Sequence, residues 1–328
     1  MEKILVTGGT GYLAQWIIQV LLQNGYFVRT TIRNLKKSDE LTALLGNSPH
    51  LEFVRADLTE KDCWQNAVSG IDKVIHVASP LGGDNPNDSA IIDVAVQGTT
   101  HVLEAAIKEG VSHVVMTSSL AASTPMKSEQ RQDLDESLWS SKDNPDLNAY
   151  RLSKLFAEEA AWKLIEGTAT ELTTILPGAI FGPSLSGAPQ SSTALIQQII
   201  GGSPAPKILL EVSDVRDLAQ LHLLALQEKA KGQRYVAVNG AMTFLEAAKV
   251  LKDGLGAKGQ KIKTFEIPNF VLKPIAQIVP PLRSLIPMIG RTYLHTSKKA
   301  VTELNWQPRP PQETILDTGL ALINHSAS

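Results

Sequence analysis

Residues 3–14 read Lys-Ile-Leu-Val-Thr-Gly-Gly-Thr-Gly-Tyr-Leu-Ala, a short apolar run that breaks into glycines and resumes as a helical pattern. Gly8, Gly11 and Ala14 give the spacing G-x-x-G-x-x-A. The first glycine permits a tight turn, and the second lets backbone approach a pyrophosphate. The third, small residue lets the helix pack close on its strand. The helix start then offers unpaired N–H groups and a partial positive charge to phosphates.

The rhythm set by that unit continues. Short Val/Ile-rich runs, apolar on both faces, predict strands over 3–7, 27–33, 51–55, 73–78, 113–118 and 172–176. Helical patterns fall between them, over 12–23, 39–45, 60–68, 88–108 and 147–165. Alternation of this kind reads as an α/β chain, a Rossmann-type doubly wound parallel sheet. Beyond Pro177 the pattern loosens into Pro/Gly/Ser-rich loops over 182–189 and 201–206. The expected division is therefore a nucleotide-binding domain over 1–177 and a smaller mixed substrate lobe over 178–328. Elements within 207–240, around Val212 and Tyr235, are expected to return to the main sheet.

Composition narrows the function classes. The chain has 328 residues, 43% of them hydrophobic, with 31 Lys+Arg against 33 Asp+Glu and a formal charge of −2. That balance argues against nucleic-acid binding, which calls for a basic excess on one face. A single cysteine, Cys63, excludes an internal disulfide and a thiolate metal cluster. His76, His101, His113 and His222 lack metal-ligand spacing, so no metal is expected. The apolar stretch 267–289 is broken by Pro268, Pro274, Pro280, Pro281 and Pro287 and carries Lys273 and Arg283, unlike a membrane span. The first apolar run is too short for a signal peptide. The expectation is a soluble, cytoplasmic protein.

The second strand bears on the choice of dinucleotide. An NAD-binding chain places Asp or Glu at its end, to accept from the ribose 2′-hydroxyl. Here the strand ends Thr30-Thr31-Ile32-Arg33-Asn34, followed by Lys36 and Lys37, with no carboxylate before Asp39. Arg33 can pair with a 2′-phosphate, which points to NADP(H).

Tyr150-Arg-Leu-Ser-Lys154 lies at the start of a helical pattern, so the tyrosine and lysine share one face. An ammonium beside a phenol stabilises the phenolate and brings the tyrosine toward usable acid–base strength. Upstream, Thr117-Ser118-Ser119 ends a strand where an α/β sheet places its ligands, and a hydroxyl there can hold a substrate carbonyl.

With these pieces in order, the chain resembles the extended class of the short-chain dehydrogenase/reductase superfamily. Within it, the likeness is to the branch of dihydroflavonol reductases, cinnamoyl-CoA reductases and microbial aldehyde/ketone reductases. The resemblance is carried by Val6–Ala14, Ile32-Arg33, Ala56-Asp57-Leu58, Val74–Pro80, Val96–Thr99, Thr117–Ser119, Tyr150–Lys154, Leu176–Pro183, Asp214–Ala219 and Leu304–Pro308. It implies that Ser119, Tyr150 and Lys154 are catalytic, with Tyr150 protonating the substrate oxygen and Ser119 hydrogen-bonding the carbonyl. Lys154 would hold the nicotinamide ribose and lower the tyrosine pKa. It further implies cofactor contacts from Gly8, Thr10, Gly11, Tyr12, Leu13, Arg33, Lys37, Asp57, Leu58, Val77, Ala78, Ser79, Pro177, Ala179 and Ile180.

Substrate walls are expected over 81–84, 120–126, 179–189 and 270–288, with Leu81, Leu120 and Phe181 as substrate contacts. Their apolar character suits a hydrophobic aldehyde or ketone. The chain departs from cinnamoyl-CoA reductases around the tyrosine, where Ala149 and Arg151 replace residues of an aromatic-rich block; this weighs against a plant-type coenzyme A thioester or flavonoid but leaves open whether one is accepted.

The leading expectation is an NADPH-dependent carbonyl reductase acting on a small molecule, as a monomer or as a homodimer through the helices over 88–108 and 147–165. Two alternatives share the fold: a nucleotide-sugar epimerase or dehydratase with tightly bound NAD, and a non-catalytic NADP-binding sensor. Arg33 speaks against the first, and the intact Tyr150–Lys154 pair against the second.

Overall fold

The computed structural model describes residues 1–80, 88–126, 129, 133–187, 192–278 and 288–325. The buried hydrophobic runs form a seven-stranded, wholly parallel sheet. Its strands are β1 (Lys3–Val6), β2 (Phe27–Ile32), β3 (Leu51–Arg55), β4 (Lys73–His76), β5 (His113–Thr117), β7 (Glu171–Pro177) and β11 (Arg234–Ala237), in the order β11-β7-β5-β4-β1-β2-β3. The two-residue strand β6 (Asp133–Leu134) stands outside it, paired with β14 (Leu294–His295). The order reverses at β1, whose neighbours are β2 and β4. Ligands of such sheets bind in the crevice outside the strand ends at that switch point.

Helices cover both faces, as the two-sided burial of the strands requires. On one face lie α1 (Tyr12–Gln23) and α7 (Val215–Leu224), whose core includes Ile17, Leu21, Leu218 and Trp306. On the other lie α3 (Cys63–Val68), α4 (Ala90–Glu109) and α5 (Ala149–Ile165), with Trp64, Val102, Leu103 and Ala161 between them. By length and composition α4 could cross a membrane; its apolar face is spent on this core. The short α2 (Ser38–Leu44) links β2 to β3.

The remaining elements build a smaller unit around β8 (Ala179–Phe181), α6 (Thr193–Ile200), β9 (Ala205–Pro206), β10 (Leu209–Asp214), β12 (Gly240–Thr243), α8 (Phe244–Gly254), β13 (Glu266–Ile267) and α9 (Asn269–Ile278). Its three-stranded sheet runs β12-β10-β8, with β10 antiparallel to β12 and parallel to β8. The last helices are α10 (Lys298–Leu304) and α11 (Pro311–His325). Of the two segments expected to rejoin the main sheet, the one at Tyr235 does, as β11 beside β7. The segment at Val212 does not: β10 is claimed by β8 and β12, because its partner Ala179 has already left the sheet after Pro177.

Candidate active site

The glycine turn joins β1 to α1. Gly8 sits at φ +77°, where a side chain is strained, and a Cβ there would come within 3.1 Å of that of Ala78. The tightest position is one that spacing alone did not single out. A Cβ on Gly9 would fall 2.3 Å from Oγ1 of Thr30, so the turn can nest on β2 only without one. Thr31 fixes it from the same strand, accepting the Gly8 N–H at its Oγ1 (2.9 Å) and the Gly9 N–H at its carbonyl (2.8 Å). Thr7 ties the turn to the exit of β4, accepting N–H groups of Val77 (3.0 Å) and Ala78 (2.9 Å). Its own proton then goes to Nδ1 of His76 (3.0 Å), which leaves Nε2–H of that ring for Thr99. Burial beside Lys154 pushes His76 down to about 3, so it is neutral.

Helix α1 starts at the N-cap Gly11 with no capping side chain and no acid in its first turn. Its leading N–H groups are thus available to an anion. Thr10 and Gly11 are exposed, whereas the Leu13 side chain is core, so only the backbone of Leu13 can serve a ligand. The Tyr12 hydroxyl is already committed, donating to the Gly182 carbonyl at 2.7 Å, and burial beside Asp214 raises its pKa. Trp16 donates to the Pro183 carbonyl one turn on (2.9 Å), so α1 clamps the chain where it enters the second unit.

At the end of β2, Arg33, Asn34, Lys36 and Lys37 are all exposed. Across from them, Asp57 accepts both the N–H and the hydroxyl of Thr59 at one oxygen, and these bonds hold its carboxyl below the usual range. Leu58 packs against Gly98 of α4, where a Cβ would lie 2.7 Å from its own. Val77, Ala78, Ser79, Ala179 and Ile180 are half-buried around the crevice, and Pro177 is buried at the end of β7.

The hydroxyl triplet after β5 divides sharply. Thr117 donates to Nε2 of His222 (2.8 Å), whose Nδ1–H donates to the Leu218 carbonyl (2.7 Å). Ser118 donates to the Glu158 carboxylate. Both of those residues are buried. Ser119 is half-buried and caps a short 3-10 helix, its oxygen accepting the Ala121 N–H at 3.1 Å. Among the described residues its proton has no acceptor, unlike those of Thr117 and Ser118.

Helix α5 begins at Asn148, whose side chain accepts the Arg151 N–H (2.9 Å), and it carries Tyr150 and Lys154 one turn apart. The tyrosine departs from the sequence expectation. Burial raises the phenol above its ordinary value, and the cation that opposes this shift is Arg151. Lys154, 7% exposed, is itself pushed down to about 8 by burial, with Glu158 pulling the other way. Tyr150 is therefore held protonated at neutral pH, and Lys154 remains mostly charged.

Glu158 is a participant that sequence reading missed. Fully buried on the next turn of α5, it accepts from five donors: Ser118, Trp162, Thr174 and both Nε and Nη2 of Arg234. Arg234 stacks 3.7 Å from the Trp139 ring centroid and donates to the carbonyls of Glu136 and Leu138. The sequence signal was available: a Glu four residues beyond the lysine, on the same helix face.

The expected substrate contacts fare differently. Phe181 is 0% exposed, packed with Ile196, Val212 and Phe244 in the core of the second unit, so it is not a substrate contact. Leu120, 7% exposed, packs with Leu176, Val236 and Val238. Phe181 is drawn inward because the three-stranded sheet needs its own apolar layer, and Leu120 because it covers β7 and β11 at the edge of the main sheet. Leu81 lies outside the described residues. Among the described residues, no cluster of three metal-ligating side chains is present.

A nucleotide-binding switch point with this serine, tyrosine and lysine beside it defines an oxidoreductase of the extended short-chain dehydrogenase/reductase class. The chain belongs to the NAD dependent epimerase/dehydratase family, whose model matches residues 4–239. It is 32% identical over 260 residues to cinnamoyl-CoA reductase CAD2 of Medicago truncatula, spanning 76% of this chain and 80% of that one. Among solved structures, yeast methylglyoxal/isovaleraldehyde reductase Gre2, complexed with NADPH, superposes with a TM-score of 0.83 at 25% identity over 99% of both chains. Vestitone reductase from alfalfa gives 0.78 at 25% identity, over 100% of this chain and 99% of that one.

Proposed function

We propose that this chain reduces an aldehyde or ketone with NADPH, with Tyr150 as the proton donor. The observation that carries the reading is the set of side chains at the sheet's switch end, Ser119 with a hydroxyl proton to give and Tyr150 and Lys154 one turn apart at the start of α5. A reductase needs its acid loaded at neutral pH, as a phenol is, and burial does not draw that proton off. Kinship to named reductases, one of them complexed with NADPH, supports the same chemistry.

The residues fit the dinucleotide. The uncapped start of α1 and the glycine turn, closed to any Cβ at Gly9, suit a pyrophosphate. Exposed Arg33, with Lys36 and Lys37, suits a 2′-phosphate, and the carboxylate across from it, Asp57, is turned to Thr59. When bound, the cofactor supplies hydride to the carbonyl carbon.

This chain's own residues do the rest. Ser119 donates its hydroxyl proton as a hydrogen bond to the carbonyl oxygen, orienting it and stabilising the charge that develops there. Tyr150 transfers its phenolic proton to that oxygen. Arg151, the cation that opposes the burial of the phenol, stabilises the resulting phenolate until it is reprotonated, and the Lys154 ammonium, one helical turn on, is placed to hold the nicotinamide ribose. Glu158 and Arg234 hold α5 and the Ser118–Ser119 segment in fixed relation, so the two donors stay aimed at one point.

The test is consumption of NADPH against NADH with a panel of aromatic and aliphatic aldehydes and ketones. The reading expects substrate-dependent loss of NADPH absorbance and at least tenfold weaker use of NADH, a preference that Arg33→Asp reduces. Protein that isolates with bound NAD and oxidises no added NADPH would instead support epimerase chemistry.

A further inference from the structure

What its ring faces sets His295 apart from His76 and His222. Those two each take a threonine hydroxyl proton at one nitrogen, 3.0 Å from Thr7 and 2.8 Å from Thr117, and donate from the other. A neutral imidazole satisfies both arrangements. The His295 side chain is 1% exposed, and each of its nitrogens faces oxygens that can only accept. Nδ1 lies 2.9 and 3.1 Å from the two carboxylate oxygens of Glu211, and Nε2 lies 2.6 Å from the Ser123 carbonyl. A neutral ring would aim a lone pair at one of them. Both nitrogens therefore donate, and the ring is an imidazolium paired with the Glu211 carboxylate. The His295 backbone N–H fixes that carboxylate further, at 2.6 Å. Glu211 also acts on Arg151 of α5, and the Tyr293 ring stands edge-on to the imidazole with centroids 6.0 Å apart.

The groups so joined come from different parts of the chain. Glu211 lies on β10 of the second unit, and His295 ends β14, which pairs with β6 in the stretch between Ser119 and Tyr150. Ser123 ends the 3-10 helix whose N-cap is Ser119. The next residue, Thr124, accepts from Nη2 of Arg151 at 2.6 Å, and Arg151 directly follows Tyr150. The imidazolium thus holds the short segment that links the Ser119 hydroxyl to the start of α5. Charge-assisted bonds in a buried place are strong ones, so this hold is firm.

We propose that His295, as an imidazolium, is a positioning residue for the reduction: it anchors the Ser123 carbonyl and, through the helix over 120–123, fixes the Ser119 hydroxyl relative to Tyr150. This rests on the reductase reading given above. His295 acts through that helix and not on the reacting atoms.

The charge is read on the wild-type protein itself. Heteronuclear NMR of the imidazole nitrogens in NADPH-loaded protein at neutral pH is expected to show both nitrogens of His295 protonated. His76 and His222, which burial keeps neutral, are expected to carry one proton each. A singly protonated His295 ring overturns the proposal.

Two variants read the positional role. His295→Gln removes the charge, whereas His295→Lys keeps it and can donate to both Glu211 and Ser123. His295→Gln is expected to lower kcat for an aldehyde at least tenfold with the Kd for NADPH little changed. It is also expected to speed amide exchange at Ala121, whose N–H donates to the Ser119 oxygen. His295→Lys is expected to recover most of both losses. Equal losses in the two variants overturn the role of the charge. Unchanged kcat and exchange in His295→Gln remove the positioning role and leave the reductase reading intact. A wild-type protein that reduces no aldehyde, yet shows the doubly protonated ring and these exchange differences, costs the reductase reading alone and supports the hold on Ser119.

Discussion

Arg234 donates from Nε to Oε1 of Glu158 at 2.8 Å, joining the last strand of the main sheet to the helix that carries Tyr150. Both side chains are buried, and the carboxylate also holds Ser118, next to Ser119. Removing one charge of such a pair strands the other, at a cost of about 3–5 kcal/mol. Glu158→Gln is therefore expected to lower the midpoint of thermal unfolding and to lower kcat at least tenfold, with the Kd for NADPH little changed. Calorimetry and a cofactor titration on the same preparation check both parts. An unaltered kcat in a destabilised variant would reduce the pair to a packing role.

The glycine turn offers a more local test. A methyl at residue 9 would meet Thr30 Oγ1 at 2.3 Å, and Thr30 is fixed by its own bond to the Val6 carbonyl (2.8 Å). The turn must then lift away from β2, spoiling the backbone cradle. Gly9→Ala is expected to weaken NADPH binding more than tenfold, measured by fluorescence titration. Adding Thr30→Ala should recover part of that loss, because the obstructing atom is the side-chain oxygen that alanine lacks, whereas Thr30→Ser, which keeps it, should recover less.

Lys154 makes activity and stability respond oppositely to pH. Its folded pKa, about 8, lies below the ordinary 10.5 because burial disfavours the ammonium. Between these values the unfolded chain holds a proton that the native chain has lost, so this group makes stability rise with pH from about 8 to 10.5; below pH 8 its full burial cost is present. That difference corresponds to roughly 3 kcal/mol. Denaturant unfolding of the wild type is expected to gain on Lys154→Met across that window. Reductase activity should fall over the same range as the ammonium is lost, since Tyr150, raised by burial, keeps its proton. Identical pH–stability curves for the two proteins would show that the lysine is not buried as a cation.

Much of this architecture is legible in the chain because its signals are local. The strand-to-helix turn at Gly8–Ala14 and the runs behind β1 to β5 each declare themselves within a dozen residues, and α1 falls over Tyr12–Gln23 as the periodicity indicates. What was not legible depends on distant partners. Gly9 looks like a spare glycine until Thr30, 21 residues away, is beside it. Glu158 looks like one more helix carboxylate until Arg234 arrives from β11. Phe181 reads as a pocket wall because it follows the site residues in sequence, but the three-stranded sheet turns it into its own core. Val212 has strand composition without any indication of which sheet will claim it. The tyrosine's electrostatics follow the same pattern: spacing puts Lys154 on the phenol's helix face, and the fold adds Arg151 as the cation that opposes its burial.

The central claim is that Tyr150 gives its proton to a carbonyl oxygen during reduction by NADPH. Replacing it by Phe removes that proton while keeping the ring, so the decisive measurement is single-turnover oxidation of bound NADPH by an aldehyde that the wild-type protein reduces, in wild type and Tyr150→Phe. The account predicts a loss of at least a hundredfold in the rate of that step, on the scale of general acid catalysis, with NADPH affinity within about threefold of wild type. A Tyr150→Phe protein that oxidises NADPH at the wild-type rate would contradict it.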